Sequence, residues 1–201
     1  MLIIGISGGS GSGKTSFITD IQKRFNENEI TLLSQDDYYH PREDQVIDEN
    51  GFRNFDLPTS IDLDAFVQDI NRLKKGETVT RNEYTFNNSE KEAKQLIFEP
   101  NAILIVEGLF IFHHQAIKAL LDISIMINAS SALTVIRRIH RDRVERNYPL
   151  EDVLYRYENH VLPAYEQYIR PYTNKVDLVI NNNNNYNKAL DMMTAYLNAQ
   201  F

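Results

Sequence analysis

Residues 8–15 read Gly8-Gly9-Ser10-Gly11-Ser12-Gly13-Lys14-Thr15, with Ser16 next. The stretch fits GxxxxGK[ST] and stands in the context that pattern needs. Before it lies the apolar run LIIGIS (2–7), which predicts a buried strand. After it, Phe17, Ile18, Ile21 and Phe25 recur at helical spacing. Glycines let the backbone curl until successive N–H groups face one anion, and the helix N-terminus adds partial positive charge. Lys14 can reach the outer phosphates of a nucleotide, and the Thr15 hydroxyl can serve Mg²⁺. A flexible Gly/Ser turn is the bland alternative. The strand–loop–helix order argues against it.

Working outward, further apolar runs at 30–34 (ITLLS), 102–106 (AILIV), 123–127 (ISIMI) and 176–180 (VDLVI) predict four more buried strands. Helical segments are predicted at 62–75, capped by Asp62 and ended by Gly76, and at 114–121, 131–146, 150–169 and 186–197. Pro163 is expected to kink or split the 150–169 segment. Residues 35–60 have no period and read as a long loop. Residues 78–98, around Asn87-Asn88-Ser89, read as a hairpin. The run Asn181 to Asn185 reads as a plain turn without function. Strands apolar on both faces and alternating with helices mean an α/β fold: a parallel sheet of five strands with helices on both faces. No linker or repeat divides the chain, so one domain over 1–201 is expected.

Composition narrows the chemistry. The 201 residues include no cysteine, which excludes a disulfide scaffold, a thiol nucleophile, Cys-ligated zinc and an iron–sulfur cluster. The five histidines show no HxxxH or HExxH spacing. No run resembles a membrane span or a cleavable signal, so a cytoplasmic protein without a membrane partner is expected. A formal charge of -7 disfavours nucleic acid as a partner over the surface as a whole.

Three segments then suggest chemistry around the loop. Glu107 ends the strand AILIV at the carboxyl edge, where ligands gather in such sheets, and can hold Mg²⁺ opposite Thr15. Asp36 and Asp37 follow the second strand; one of them can accept a proton from an attacking hydroxyl, and two turn-capping acids are the alternative. Residues 137–146 carry five arginines in ten positions, with Arg138 and Arg141 three apart on one face. That pattern predicts a phosphate lid over about 131–150 rather than a solvated face. A switch protein is also considered. Asn174-Lys175-Val176-Asp177 matches NKxD, and Asp48-Glu49-Asn50-Gly51 matches DxxG. The first precedes its strand instead of following it, and the second sits in the polar loop, so both read as accidents.

The segments GISGGSGSGKTS (5–16), LLSQDDYY (32–39), NFDLPTSIDLD (54–64), IVEGLFIF (105–112) and IRRIHRDRVER (136–146), with Pro163, Tyr168-Ile169-Arg170-Pro171 and Val176-Asp177, converge on one family. The chain resembles the uridine kinases of the uridine kinase and phosphoribulokinase group over almost its whole length. The resemblance implies a P-loop kinase fold and transfer of the γ-phosphate of ATP (or GTP), with Mg²⁺, to a nucleoside 5′-hydroxyl. It also implies a homo-oligomer, a dimer or tetramer. It makes Asp36, Lys14 and Arg141 catalytic, and Gly8 through Ser16 with Arg146 nucleotide-binding. It gives Asp56 the ribose hydroxyls, Tyr84 and Phe86 the nucleoside pocket on a hairpin over about 78–98, and Tyr39 and Arg138 further acceptor contacts. Thr15 and Glu107 are the implied metal ligands. The departures fall on base-reading positions: Ser89, Tyr148 and Arg156 stand where the family carries His, Arg and Gln. Arg156 could favour an acidic acceptor, or pair with Glu151 or Asp152 on a helix surface. Changed base-reading groups should alter the preferred acceptor. A sugar phosphate or a vitamin precursor is one alternative acceptor, and a nucleotide-binding regulator without an acceptor is another reading.

Overall fold

The computed structural model describes residues 1–85, 92–144 and 148–201. Phe86, Ser89 and Arg146 lie outside the described residues. Five strands form one parallel sheet: β1 (Leu2–Ser7), β2 (Ile30–Ser34), β5 (Ile103–Glu107), β6 (Ile123–Asn128) and β7 (Leu178–Asn181), in the order β2-β5-β1-β6-β7. β3 (Val79–Asn82) and β4 (Gln95–Phe98) make a separate antiparallel pair.

The strands are apolar on both faces because both faces are covered. Ile4, Ile6, Ile103 and Ile105 point to the side packed by α1 (Lys14–Gln22) and α7 (Asn187–Asn198), through Phe17, Ile18, Ile21, Leu190, Met193 and Leu197. Ile3, Leu104 and Val106 point to the other side, where α2 (Leu63–Lys74) contributes Phe66, Ile70 and Leu73, and α3 (Gln115–Lys118) contributes Ile117. Each such fully buried side chain contributes about 1.5–3 kcal/mol. α1 leaves β1 on one face and α3 follows β5 on the other. A crevice therefore opens at the carboxyl ends of β1 and β5, the place where ligands bind in sheets of this kind.

Several elements differ from expectation. The segment 114–121 is helical only over Gln115–Lys118. Leu120 and Leu121 continue it with tighter turns, donating to the carbonyls of Ile117 and Lys118 three residues back. β7 begins at Leu178 rather than 176. Ahead of it, the Asp177 carboxylate accepts the Ser124 N–H (2.8 Å) and hydroxyl (2.6 Å). The segment around Pro163 is not split: its backbone stays helical while the helix type changes on either side. α5 (Leu150–Arg156) runs through a π turn (Tyr157–Val161), α6 (Leu162–Ala164) and a second π turn (Tyr165–Ile169), with helical dihedrals at every junction. Proline lacks one donor and crowds the turn before it. Widened turns on both sides accommodate this without a break. α2 follows the sequence closely: Asp62 accepts the Ala65 N–H at 2.9 Å, and Gly76 ends it at φ 84°.

The 35–60 loop is more ordered than its lack of period suggests. It contains three 3₁₀ turns (Gln35–Tyr38, Arg42–Asp44, Pro58–Ser60) and a turn built on Asp48. The Asp48 carboxylate accepts the N–H groups of Asn50 (3.0 Å) and Phe52 (2.8 Å), the Tyr155 hydroxyl (2.7 Å), and pairs with His160 Nε2 (2.7 Å). The DxxG spacing at 48–51 thus serves a turn closed by Gly51 at φ 83°. Among the described residues no helix is long and apolar enough to cross a membrane.

Burial raises the Asp48 pKa, but the Tyr155, Phe52, His160 and Asn50 bonds outweigh it and hold it at about 2, below the ordinary 3.8. A depressed carboxylate stabilises the fold fully above its unfolded pKa and loses that contribution as pH falls through its folded one. Asp48→Asn should therefore be less stable at neutral pH and show a shallower loss between pH 3.8 and 2 than the wild type. Urea titrations across that window measure both.

Candidate active site

The loop of residues 8–13 links β1 to α1, and each of its glycines faces a different neighbour. A Cβ on Gly8 would lie 2.5 Å from the Ile127 carbonyl at the end of β6, and one on Gly9 would meet the Tyr165 ring at 3.0 Å. One on Gly11 (φ 81°) would overlap the Thr134 carbonyl of α4 (Ser131–Val144). One on Gly13 (φ 92°) would overlap Asn182 Nδ2 beyond β7. Gly13 is the N-cap of α1 in the left-handed region, so both its conformation and its surroundings require glycine.

Lys14 crosses the crevice from α1 to the end of β5, where it is ion-paired with Glu107. Burial works against the ammonium. The carboxylates of Glu107 and Asp36 outweigh that and leave its pKa above the ordinary value, with Arg141 opposing them. The second Glu107 oxygen accepts the Ser34 hydroxyl from the neighbouring β2. Register explains the meeting, because Glu107 stands level with both Ile6 and Ser34. The Ser34 Oγ also accepts the Asp36 N–H at 3.1 Å, capping the 3₁₀ turn that carries Asp36. Thr15 and Ser16 sit exposed at the start of α1.

Asp36 and Asp37 have different surroundings. Asp36 acts electrostatically on Lys14 and Tyr39, whereas Asp37 accepts the Tyr84 N–H at 3.2 Å. Burial raises the Asp37 pKa, with that N–H opposing it. Tyr84 leaves β3 with its ring 5.4 Å from the Tyr39 ring. Burial pushes the Tyr39 phenol well up, reinforced by the charges of Asp36 and Asp56 and countered by Arg138. Burial also raises the Asp56 carboxyl, countered by Arg138, His160 and Arg156. Asp36, Tyr39, Asp56, Tyr84 and Arg138 therefore share one neighbourhood beside the phosphate loop.

Helix α4 lies on that loop. Arg138 donates to Ser10 Oγ at 2.9 Å and Arg141 at 3.3 Å, while Asp142 pairs with both guanidinium groups (3.2 and 3.0 Å). Arg156 does not pair with Glu151 or Asp152, and it is not a free cation on the helix surface. It donates to the Arg53 carbonyl at 2.9 Å and covers the Phe52 ring. Tyr148 is exposed.

Two neighbours of the loop escaped sequence reasoning. Arg137 donates to the Gly11 carbonyl (3.4 Å) and the Asn182 carbonyl (3.0 Å). Its spacing of four from Arg141 is the signal that could have found it. Asn182 donates to the Ser12 carbonyl at 2.9 Å, so the asparagine run is more than a turn. Its position past the last strand, at the edge where the loop sits, was the only clue.

The sequence pattern of the Phosphoribulokinase / Uridine kinase family matches residues 3–188. The chain is similar to the uridine kinase of Staphylococcus haemolyticus, 33% identical over 192 residues that cover 96% of this chain and 93% of the relative. It is likewise similar to the uridine kinase of Macrococcus caseolyticus, 34% identical with the same coverage. The solved phosphoribulokinase from Rhodobacter spheroides has the same fold, with a TM-score of 0.62 and 17% identity, covering 90% of this chain and 69% of that one.

The close approach of Gly13 to Asn182 predicts a coupled pair. Gly13→Ala should lose about 1–2 kcal/mol for the left-handed conformation alone, and more for displacing Asn182. In an Asn182→Ala background only the conformational part remains, so the double variant should lose less than the sum of the two single losses. Urea unfolding of the wild type, both single variants and the double variant measures the coupling.

Proposed function

The chain belongs to the phosphoribulokinase/uridine kinase family, and on that premise we propose that it transfers the γ-phosphate of ATP, or of GTP, to a hydroxyl of a small acceptor, a nucleoside 5′-hydroxyl first among them. The observation that carries this reading is a juxtaposition: Lys14 of the phosphate loop feels the charge of Asp36, and Asp36 and Asp56 both act on Tyr39. A phosphate cradle and an acceptor-sized group of acids and rings thus adjoin.

In this reading the loop N–H groups and Lys14 hold the phosphates. Asp36 accepts the proton of the acceptor hydroxyl as it attacks. Asp56 binds the acceptor's neighbouring hydroxyls. Its raised pKa suits a half-buried carboxylate whose balance is restored by hydroxyl donors. Tyr39 and Tyr84 stack on the acceptor, with Phe86 beside them. Arg138 and Arg141, now on Ser10, move onto the transferring phosphoryl group, joined by Arg146. The lid over about 131–150 excludes water that would waste the nucleotide. The hairpin over about 78–98 forms the acceptor wall of a single domain.

The donor set suits magnesium, since Thr15 and Glu107 offer hard oxygen ligands beside the phosphate loop. When bound, the ion would neutralise phosphate charge. Glu107 is already shared by Lys14 and Ser34, so it would rearrange on loading.

Arg156 is committed to the Arg53 carbonyl and the Phe52 ring, which favours an acceptor whose base is not read from that position. ADP release from Mg-ATP, assayed with uridine, cytidine and other hydroxylated acceptors, tests the reading. Acceptor-stimulated release supports it. Tight ATP binding with no stimulation by any acceptor would turn it toward a nucleotide-binding regulator. Asp36→Asn should cut turnover by about 10²–10⁴-fold while nucleotide affinity holds. Equal loss of both would defeat the role given to Asp36. Lys14→Met should damage both.

A further inference from the structure

Asn182 has no expected role, yet it is buried and joins three elements. Its own N–H donates to the Asn128 carbonyl at the end of β6 (2.7 Å), and its carbonyl accepts from Arg137 of α4 (3.0 Å). Its side-chain amide donates to the Ser12 carbonyl of the phosphate loop at 2.9 Å. The last bond has a consequence for the next residue. The described chain contains no cis peptide. In a trans peptide the C=O and the following N–H point in opposite directions. A Ser12 carbonyl held outward by Asn182 therefore turns the Gly13 N–H the other way, into the concavity of the loop. Arg137 holds the preceding carbonyl, Gly11, at 3.4 Å in the same manner, while the Ser12 N–H is used inside the loop on the Gly9 carbonyl (3.0 Å).

We propose that Asn182 is a positioning residue of the phosphate loop, fixing the Ser12–Gly13 peptide so that the Gly13 N–H faces the phosphate chain of a bound nucleoside di- or triphosphate. The proposal rests on the nucleotide-binding part of the reading above. Asn182 touches no phosphate itself. It acts by presenting a donor in advance, so that binding need not order the loop. The absence of a side chain on Gly13 is the other half of the device, because any Cβ there would displace the Asn182 amide.

The test is binding of ADP and of AMP to the wild type, Asn182→Ala and Asn182→Asp, by titration calorimetry, with the melting temperature of each free protein recorded. ADP affinity should fall at least tenfold in Asn182→Ala and further in Asn182→Asp, while AMP affinity falls less than threefold. A merely structural role would lower the melting temperature and leave the ADP-to-AMP ratio unchanged, and that result overturns the proposal. Should the variants not fold, the wild type decides. On adding ADP, the Gly13 amide resonance should shift with those of Lys14 and Thr15. A Gly13 amide that stays still while its neighbours move sinks the idea. ADP binding that is equal in all three proteins removes this inference alone. A wild type that fails to bind ADP removes the nucleotide reading with it. A wild type that binds ADP yet lacks acceptor-dependent turnover removes only the kinase.

Discussion

The structure depends on a loop that must be tightly packed on its outside and open on its inside. Residues 8–13 have to leave backbone N–H groups available on one side, so their other side is filled by protein. Four glycines admit four neighbours: the end of β6, the Tyr165 ring, the first turns of α4, and Asn182 beyond β7. A Cβ would overlap its neighbour at Gly8, Gly11 and Gly13, and would crowd the Tyr165 ring at Gly9. The glycines are therefore required as much by these neighbours as by the curl of the chain. The elements that surround the loop come from positions as distant as 182, and the sheet order β2-β5-β1-β6-β7 brings their carboxyl ends together.

Charge follows from the same placement. Lys14 lies in a buried crevice where an unpaired ammonium would be costly, and Glu107 on the adjacent strand meets it. Ser34 ties Glu107 to the start of the turn bearing Asp36. A line of hydrogen bonds and one ion pair thus runs from the phosphate loop across β5 to the turn that carries Asp36. On the proposed reading, a bound nucleotide would compete with Glu107 for Lys14 and free Glu107 for other partners.

The 35–60 loop is held from the far end of the chain. Asp48, Tyr155 and His160 pin the long loop to the π-turned helix, and Arg156 bonds the Arg53 carbonyl three residues before Asp56. The guanidinium supports the loop that carries Asp56. The widened turns around Pro163 carry His160 and Tyr165, one on that loop and the other against Gly9.

The periodic parts of this protein were legible in its sequence. LIIGIS, ITLLS and AILIV are strands at nearly the stated bounds because short runs apolar on both faces fit only the covered interior of a parallel sheet. Asp62 and Gly76 bound α2 through local capping chemistry. The phosphate loop was legible because its glycines and Lys14 serve a local geometry, and the placement of Glu107 and Asp36 because one ends β5 and the other stands two residues past the end of β2. Asn182, Arg137 and the true partner of Arg156 were not, since each makes its decisive bond to a backbone carbonyl distant in sequence, and any residue type can supply a carbonyl. Local patterns of side chains determined the elements and the loop. Only the tertiary structure decided which distant donors hold that loop's carbonyls, because hydrogen bonds to backbone are directed by where the chain lies in space and leave no mark on the residue that accepts them.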